Sequence, residues 1–407
     1  MNRSNDEIIA SLDIGSYKIK CLIVKFSNNE IKILGRSSLP SKGIQRGLVV
    51  NYDEANIVIR KCIEIAEKQA DLLLNKIIVG IDHEHIFNLK IEKFKTLDGN
   101  QIDHQKDTQP LIQSGIDEIL KNYKDKSILH VFFNNFKIDK KINVDDPLNF
   151  KANFFSTEIH AVVVDQIILE NLKSIINGCE LSVERYVLGS FALGLCFFGK
   201  SDLKDLIFID FGKDKISISI FENNTIVFNS VIPLGSNQIS KDLAKILNLD
   251  LNTAEKIKVE FGNCYHKSKN ERNNYLPTDL FPENNFRKIS LDLINSIINS
   301  RVSEIIEMIY ISIKSYNINY FKNKKIYLSG GGANLNGLKD YINIKLSSQA
   351  ELLINKINHD LDLSSNLMSD FYICYGMIRH HIEGIPSEVL PSQNKSKGIL
   401  STILSIF

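Results

Sequence analysis

Three short motifs carry residue types suited to a phosphorylated ligand. The first is Asp13-Ile14-Gly15-Ser16, with Lys18 two residues on. A glycine in a hairpin turn lets backbone N–H groups approach a phosphate, and the Ser16 hydroxyl adds a hydrogen bond. Asp13 at a strand end suits a hydrated Mg²⁺, which keeps several waters and takes few carboxylates. Lys18 either bridges phosphates or pairs with a carboxylate. Alone, the tetrapeptide also fits a simple turn. The second motif is Asp210-Phe211-Gly212-Lys213-Asp214-Lys215. A phosphate cradle prefers several small residues, and this turn keeps one. Lys213 and Lys215 bring charge, but their side chains would crowd a backbone nest. Two readings stay open: a phosphate turn, or a hairpin that has lost its phosphate contact. The third motif, Ser329-Gly330-Gly331-Gly332-Ala333, lies where a strand leads into a helix. Three glycines there let a flat ligand lie against the backbone, and a helix N-terminus favours phosphate. This is the most specific of the three.

The elements that must hold these motifs follow from the hydrophobic pattern. β-rich runs flank Asp13–Lys18 and read as a hairpin, with a third strand at 31–35. Apolar residues at helical spacing predict a long amphipathic helix over 53–74, and Lys76 to Ile81 a buried strand. From about 82 to 160 the texture changes to a small α/β insert, with strands at 127–133 and 158–164 around a helix at 110–120. A helix at 166–176 restores the first texture. A second hairpin then spans Leu206 to Phe221, with a third strand at 225–231. Strand, Asp-x-Gly, strand therefore occurs twice, the mark of a duplicated half. Residues 237–318 read as helical around a polar loop at 263–285. Lys325 to Ser329 is a strand, and a last helix covers 370–383.

A chain of 407 residues is long enough for two or more domains. A formal net charge of +1 gives no global field toward nucleic acid or membrane. The first residues lack an apolar signal core, and no run of about 18 apolar residues predicts a spanning helix. Six scattered cysteines without a CxxC pair fit a reducing compartment. His83/His85 and His380/His381 lack metal-ligand spacing and carry no functional reading.

Asp-x-Gly twice, then Ser-Gly-Gly-Gly-Ala-x-x-x-Gly-Leu, in that order, resembles the actin-like ATPase superfamily. Within it the chain is most similar to the FtsA family of bacterial cell-division proteins. The residues that carry this are Ser41 to Asn51, Ala254 to Lys258 with Gly262, and Ile298 to Arg301 with Glu304. His130-Val131 and Asp146-Pro147 echo the family's extra subdomain. The resemblance implies an α/β actin-like ATPase fold, with two duplicated domains flanking a nucleotide cleft and a small α/β subdomain inserted. Its subdomains would be 1–81 with 161–200 and 370–384; the insert 82–160; 201–236 with 319–369; and a helical subdomain 237–318. A linker (385–396) and a membrane-targeting helix (397–407) would follow.

The resemblance implies ATP and Mg²⁺ as cofactors. It places Asp13 and Asp210 near the metal through water. Gly15, Ser16, Lys18 and Gly212 would meet the phosphates, and Glu255, Lys258, Gly331 and Gly332 would surround the adenosine. No residue is assigned a catalytic role, because family members carry Gly-Gly-Thr where Lys213, Asp214 and Lys215 stand. ATP binding with at most weak ATPase activity is expected. The implied partners are the tubulin-like FtsZ filament, further copies of the chain, other division proteins and lipids of the cytoplasmic membrane's inner face at the division site. Nucleic acid is not among them.

In the last stretch, Ile399, Leu400, Ile403, Leu404, Ile406 and Phe407 share one helical face, with Ser401, Thr402 and Ser405 opposite. Half-burying six such side chains gains about 6 kcal/mol, and Lys395 and Lys397 about 1 kcal/mol each at an anionic surface. Ordering a short helix takes part of this back. A single copy would therefore bind weakly, and self-association would strengthen attachment. Two other functions share the fold. One is a small-molecule kinase, which needs a general base that no clear acid supplies and has no use for such a tail. The other is a pilus-assembly ATP-binding relative.

Overall fold

The computed structural model describes residues 6–144, 146–199, 202–265, 274–280, 288–316, 324–353, 369–384 and 388–389. The chain divides into two units. The first holds the described residues of Met1–Lys204, Glu222–Asn229 and Asp370–Phe407; the second holds those of Asp205–Phe221 and Ser230–Ser369.

In the first unit β1 (Glu7–Ile14), β2 (Lys18–Ser27) and β3 (Glu30–Pro40) form an antiparallel meander. β4 (Ile44–Gln45) and β5 (Leu48–Val49) make a small pair before α1 (Tyr52–Ala70). The Asn51 side chain accepts from the Glu54 N–H to start α1, and Asp71 in the left-handed region ends it. That cap stops the helix four residues short of the predicted 74. Ala55, Ile59, Cys62, Ile63 and Ala66 form its buried face, at the spacing of one helical stripe. β6 (Lys76–Ile81) joins β1 in parallel.

The insert follows as β7 (Ile86–Thr96), α2 (Gln109–Asn122), β8 (Lys126–Ile138), β9 (Ile142–Val144) and β10 (Phe154–Asp165). Its sheet is antiparallel, with β10 paired along its length to β7 on one side and β8 on the other. Ile112, Ile116 and Ile119 of α2 share a core with Phe133, Phe155 and Ile159 of the sheet. α3 (Gln166–Gly178), β11 (Ser182–Leu188) and α4 (Gly189–Phe198) return to the main sheet, whose order is β11-β6-β1-β2-β3. The pattern reading left β11 and α4 without assignment. α4 is buried along most of its length, so it shows no amphipathic period.

A second sheet repeats the plan. β12 (Leu206–Phe211), β13 (Ile216–Glu222) and β14 (Thr225–Ile232) precede α5 (Ser236–Leu247), α6 (Leu251–Phe261) and α7 (Leu291–Tyr316). β15 (Lys325–Ser329), α8 (Leu338–Leu346) and β16 (Gln349–Leu352) complete it. Its sheet order is β14-β13-β12-β15-β16. In each sheet an antiparallel three-strand run is extended by two parallel strands from the strand that carries Asp-x-Gly. α9 (Tyr372–Glu383) belongs to the first unit, and β17 (Glu388–Val389) pairs with β8. The sequence reading has only a polar linker after Pro386. Among the described residues no helix is long and apolar enough to cross a membrane.

One buried polar group ties part of this structure to pH. His160 of β10 lies 2.6 Å through Nδ1 from the Ile226 carbonyl, and its Nε2 is 3.2 Å from Asn88 Oδ1. Burial pushes the imidazole down to about 4, the hydrogen bond to the Ile226 carbonyl offsets only part of this, and Lys90 and His130 add to the lowering. A folded value below the unfolded one means stability is complete above about pH 6.5 and falls as pH drops toward 4. Unfolding free energy at pH 5 is therefore expected to be about 2 kcal/mol below that at pH 7.5 on account of His160. Denaturant titrations at both values, with His160→Asn lacking this share of the difference, measure it.

Candidate nucleotide site

Each Asp-x-Gly turn is built the same way. Gly15 N–H donates to the Lys18 carbonyl at 3.1 Å, and Gly212 N–H to the Lys215 carbonyl at 3.0 Å. A Cβ on either glycine would sit 2.8 Å from that same carbonyl oxygen, so both turns require glycine.

In the first unit, Asp13 is the next-to-last residue of β1 and lies opposite Lys20 of β2, whose Nζ is 3.1 Å from Asp13 Oδ2. Burial pushes the Lys20 ammonium down, but the Asp13 carboxylate more than offsets this and holds it above its ordinary range. Lys20 was not singled out in the sequence. The hairpin register that faces it to Asp13 is the signal that would have found it. Of the two roles open to Lys18, the structure takes the carboxylate: its Nζ lies 2.6 Å from Asp370 Oδ2. Asp370 lies in the 3-10 turn Ser369–Phe371 that leads into α9, and that helix is tied to β1 by Ser11 Oγ, which donates to the Cys374 carbonyl. Ser16 Oγ is shielded from solvent and has no hydrogen-bond partner among the described residues. A phosphate oxygen is the kind of group that would satisfy it.

In the second unit, Ser329 Oγ donates to Asp210 Oδ1 at 2.8 Å. The glycine run does not open a helix as expected. Gly331–Asn334 form a 3-10 turn, and α8 begins only at Leu338, after Gly337 at φ +79°. The N–H groups of the triglycine are therefore not the terminus of an α-helix. Gly330, at φ +83°, packs on Asp210 and Phe211, and Gly332 on Phe211 and Ser236. Gly331 differs: a Cβ there would meet nothing within 4 Å, and the residue is exposed. Glycine at 331 is not required by the protein's own packing.

The second turn is spoken for in a way the sequence did not reveal. The first N–H groups of α5, Ser236 and Asn237, donate to the Gly212 and Lys213 carbonyls at 3.0 and 2.9 Å. Asn237 Nδ2 donates to Asp214 Oδ1 at 2.8 Å. The helix N-terminus thus braces the turn that carries the two extra lysines. Lys258 of α6 donates to the Ser236 carbonyl at 3.1 Å and to Glu255 Oε2 at 2.8 Å, and Ser240 Oγ donates to the same carboxylate oxygen. Burial pushes Glu255 up, but Lys258 and Ser240 more than offset this and hold it below the usual carboxylate range. Burial pushes Lys258 down, and its neighbour Lys213 adds to that. Asp210, Gly212, Glu255, Lys258 and Gly332 therefore lie in one contact network, with Gly331 at its open edge. Asp13, Gly15, Ser16 and Lys18 form a second group within the first unit. Ile399, Leu400, Ile403, Leu404, Ile406 and Phe407 lie outside the described residues.

Comparison with known proteins bears on this arrangement. The family model for "Cell division protein FtsA" matches residues 207–365. Proteins of that name align along most of the chain. The one from Agrobacterium fabrum is 24% identical over 354 residues, covering 84% of this chain and 79% of its own. The one from Neisseria meningitidis is 28% identical, covering 82% and 80%. The chain is similar to FtsA proteins over most of its length. Its fold is that of the actin-like ATPases. The structure of the PilM–PilN type IV pilus biogenesis complex superposes with a TM-score of 0.61 at 14% identity, covering 92% of this chain and 98% of the other. MreB5 of Spiroplasma citri, bound to AMPPNP, superposes at 0.54 with 11% identity, covering 92% and 96%. In this chain both Asp-x-Gly turns keep the same geometry, while the second carries Lys213 and Lys215 under the brace of α5.

Proposed function

We propose that this chain is a cell-division protein that binds ATP, attaches to the inner face of the cytoplasmic membrane through its last residues, and anchors FtsZ filaments there. The observation that carries the nucleotide part is the open space above Gly331, beside Gly332, Ser236 and the Glu255–Lys258 pair. Within the first unit, taken by itself, the Ser16 hydroxyl is shielded and has no partner among the described residues, which suits a phosphate oxygen. The division role is supported by the likeness to FtsA proteins over more than four fifths of the chain. Nucleotide in relatives of this fold is exemplified by AMPPNP in MreB5.

In this reading Gly15, Ser16 and Gly212 hold phosphates, and Asp13 and Asp210 hold Mg²⁺ through water. Gly331, Gly332, Glu255 and Lys258 border the adenosine. Lys18 and Lys20, already paired with Asp370 and Asp13, place positive charge beside the first turn without needing a ligand to neutralise them. Bound ATP supplies a polyanion that stabilises whichever state binds it, by mass action. Copies joined through self-association would then share many weak membrane contacts.

Two measurements test this. The purified chain is expected to bind ATP with little turnover, and Asp13→Ala to bind it more weakly; absence of binding overturns the nucleotide assignment. Removing Ile399–Phe407 is expected to abolish co-sedimentation with anionic phospholipid vesicles. A truncated chain that still sediments with lipid as the full chain does would sink the tether.

A further inference from the structure

Far from both Asp-x-Gly turns in sequence, three ionisable side chains meet inside the first unit. Glu388 of β17 lies 2.5 Å through Oε1 from His130 Nδ1 and 2.6 Å through Oε2 from His380 Nε2. His130 sits on β8 and His380 on α9, and all three residues are at most 1% exposed. Phe191 of α4 packs edge-on against both imidazoles.

The hydrogen bonds assign the protons. Leu188 N–H donates to His130 Nε2 at 2.9 Å, so Nε2 carries a lone pair and the proton of the neutral ring lies on Nδ1, aimed at Glu388. His380 has no partner at Nδ1 among the described residues, and an Nε2–H there would meet the other carboxylate oxygen. Both oxygens therefore accept, as an ionised carboxylate does. Burial alone would raise the Glu388 carboxyl, but the two imidazoles outweigh it and hold the group well below the usual carboxylate range. Burial pushes His130 down, and Arg185 and His380 add to that. His160, on the adjoining β10, is the other buried imidazole near His130.

The same atoms could be taken for a metal site, since they lie within 4.8 Å of one another. Two facts oppose it. A histidine ligating through Nδ1 would put its proton on Nε2, against the Leu188 N–H. Ligands about 2.0–2.2 Å from a tetrahedral ion also stand more than 3 Å apart, wider than the 2.5 and 2.6 Å found.

We propose that Glu388, held between His130 and His380, is an intramolecular latch that fixes the root of the C-terminal segment on the edge of the insert's sheet. The backbone pairing of Glu388 with Phe132 and Val389 with Val131 is only two residues long. Pairing that short does not hold a strand unaided, so the buried carboxylate carries the attachment.

The test uses the full chain with ¹⁵N-labelled histidine. At neutral pH His130 is expected to show a protonated Nδ1 and a bare Nε2. In Glu388→Gln, the amide's NH₂ would face an imidazole N–H, and hydrogen exchange at Val389 is expected to rise by about tenfold or more. Exchange in β1 should be unchanged. Unaltered exchange at Val389, a proton on His130 Nε2, or one equivalent of zinc bound through these histidines overturns the latch. The tautomer is read on the unmodified protein, so the proposal remains testable should the variant fold poorly.

Discussion

Gly331→Val is expected to leave the nucleotide-free protein's unfolding free energy within about 1 kcal/mol of the parent and to weaken ATP binding by about a hundredfold. The two halves of this result come from one observation. No atom lies within 4 Å of where the new Cβ would stand, and the residue's φ is not in the left-handed region, so the side chain meets no resistance from the protein. What it meets is the proposed ligand, and overpacking a fitted contact costs about 1–3 kcal/mol. Isothermal titration with ATP beside a denaturant titration separates the two. Unchanged affinity would mean that the nucleotide does not lie against this turn. A large loss of stability would mean that the space is not open.

The opposite pattern is expected at Gly235. A Cβ there would fall 2.4 Å from the Lys213 carbonyl oxygen, 2.5 Å from its carbon and 2.6 Å from the Gly212 oxygen. All three are backbone atoms, and the two oxygens are those that accept the first N–H groups of α5. No flexible side chain can yield. Gly235→Ala is expected to destabilise the second unit by about 3 kcal/mol, at the upper end for overpacking, and to free the second turn from its brace. A denaturant midpoint and exchange at Ser236 and Asn237 measure it. If the variant is as stable as the parent, α5 does not hold the turn in the way the hydrogen bonds indicate.

These two glycines also show what a sequence can and cannot disclose. Gly15 and Gly212 were legible because a hairpin between two β-rich runs states its own need for glycine, and because the need is stated twice. Gly331 was legible as part of a run, but the helix assigned after it was not. A four-residue 3-10 turn, Gly331–Asn334, and two further residues intervene before Gly337 permits α8 to start. Gly235 was missed because what demands it, the Lys213 carbonyl, adjoins it only in space. Lys20 was recoverable from hairpin register, which sets residue 20 opposite 13. Glu388 was not recoverable. A single acid after a proline in a polar stretch looks like solvent-facing linker, and only the fold brings residues 130 and 380 to it. The repeated sheets were readable for a related reason. The hairpin-connected part of each sheet is set locally, whereas α4, buried nearly all round, leaves no period to read.

The latch has a mechanical consequence. With Val389 pinned, nine residues, 390–398, separate the body from Ile399, where the proposed lipid-binding stretch begins. Fully extended they span about 30 Å. If Glu388 is released, the free length starts after Gly384 at the end of α9, and fourteen residues, 385–398, reach about 50 Å. Three buried side chains would thus set the standoff between the body and the bilayer. A short leash keeps the anchor concentrated near the surface; a longer one dilutes it about twofold over the larger volume it can sweep.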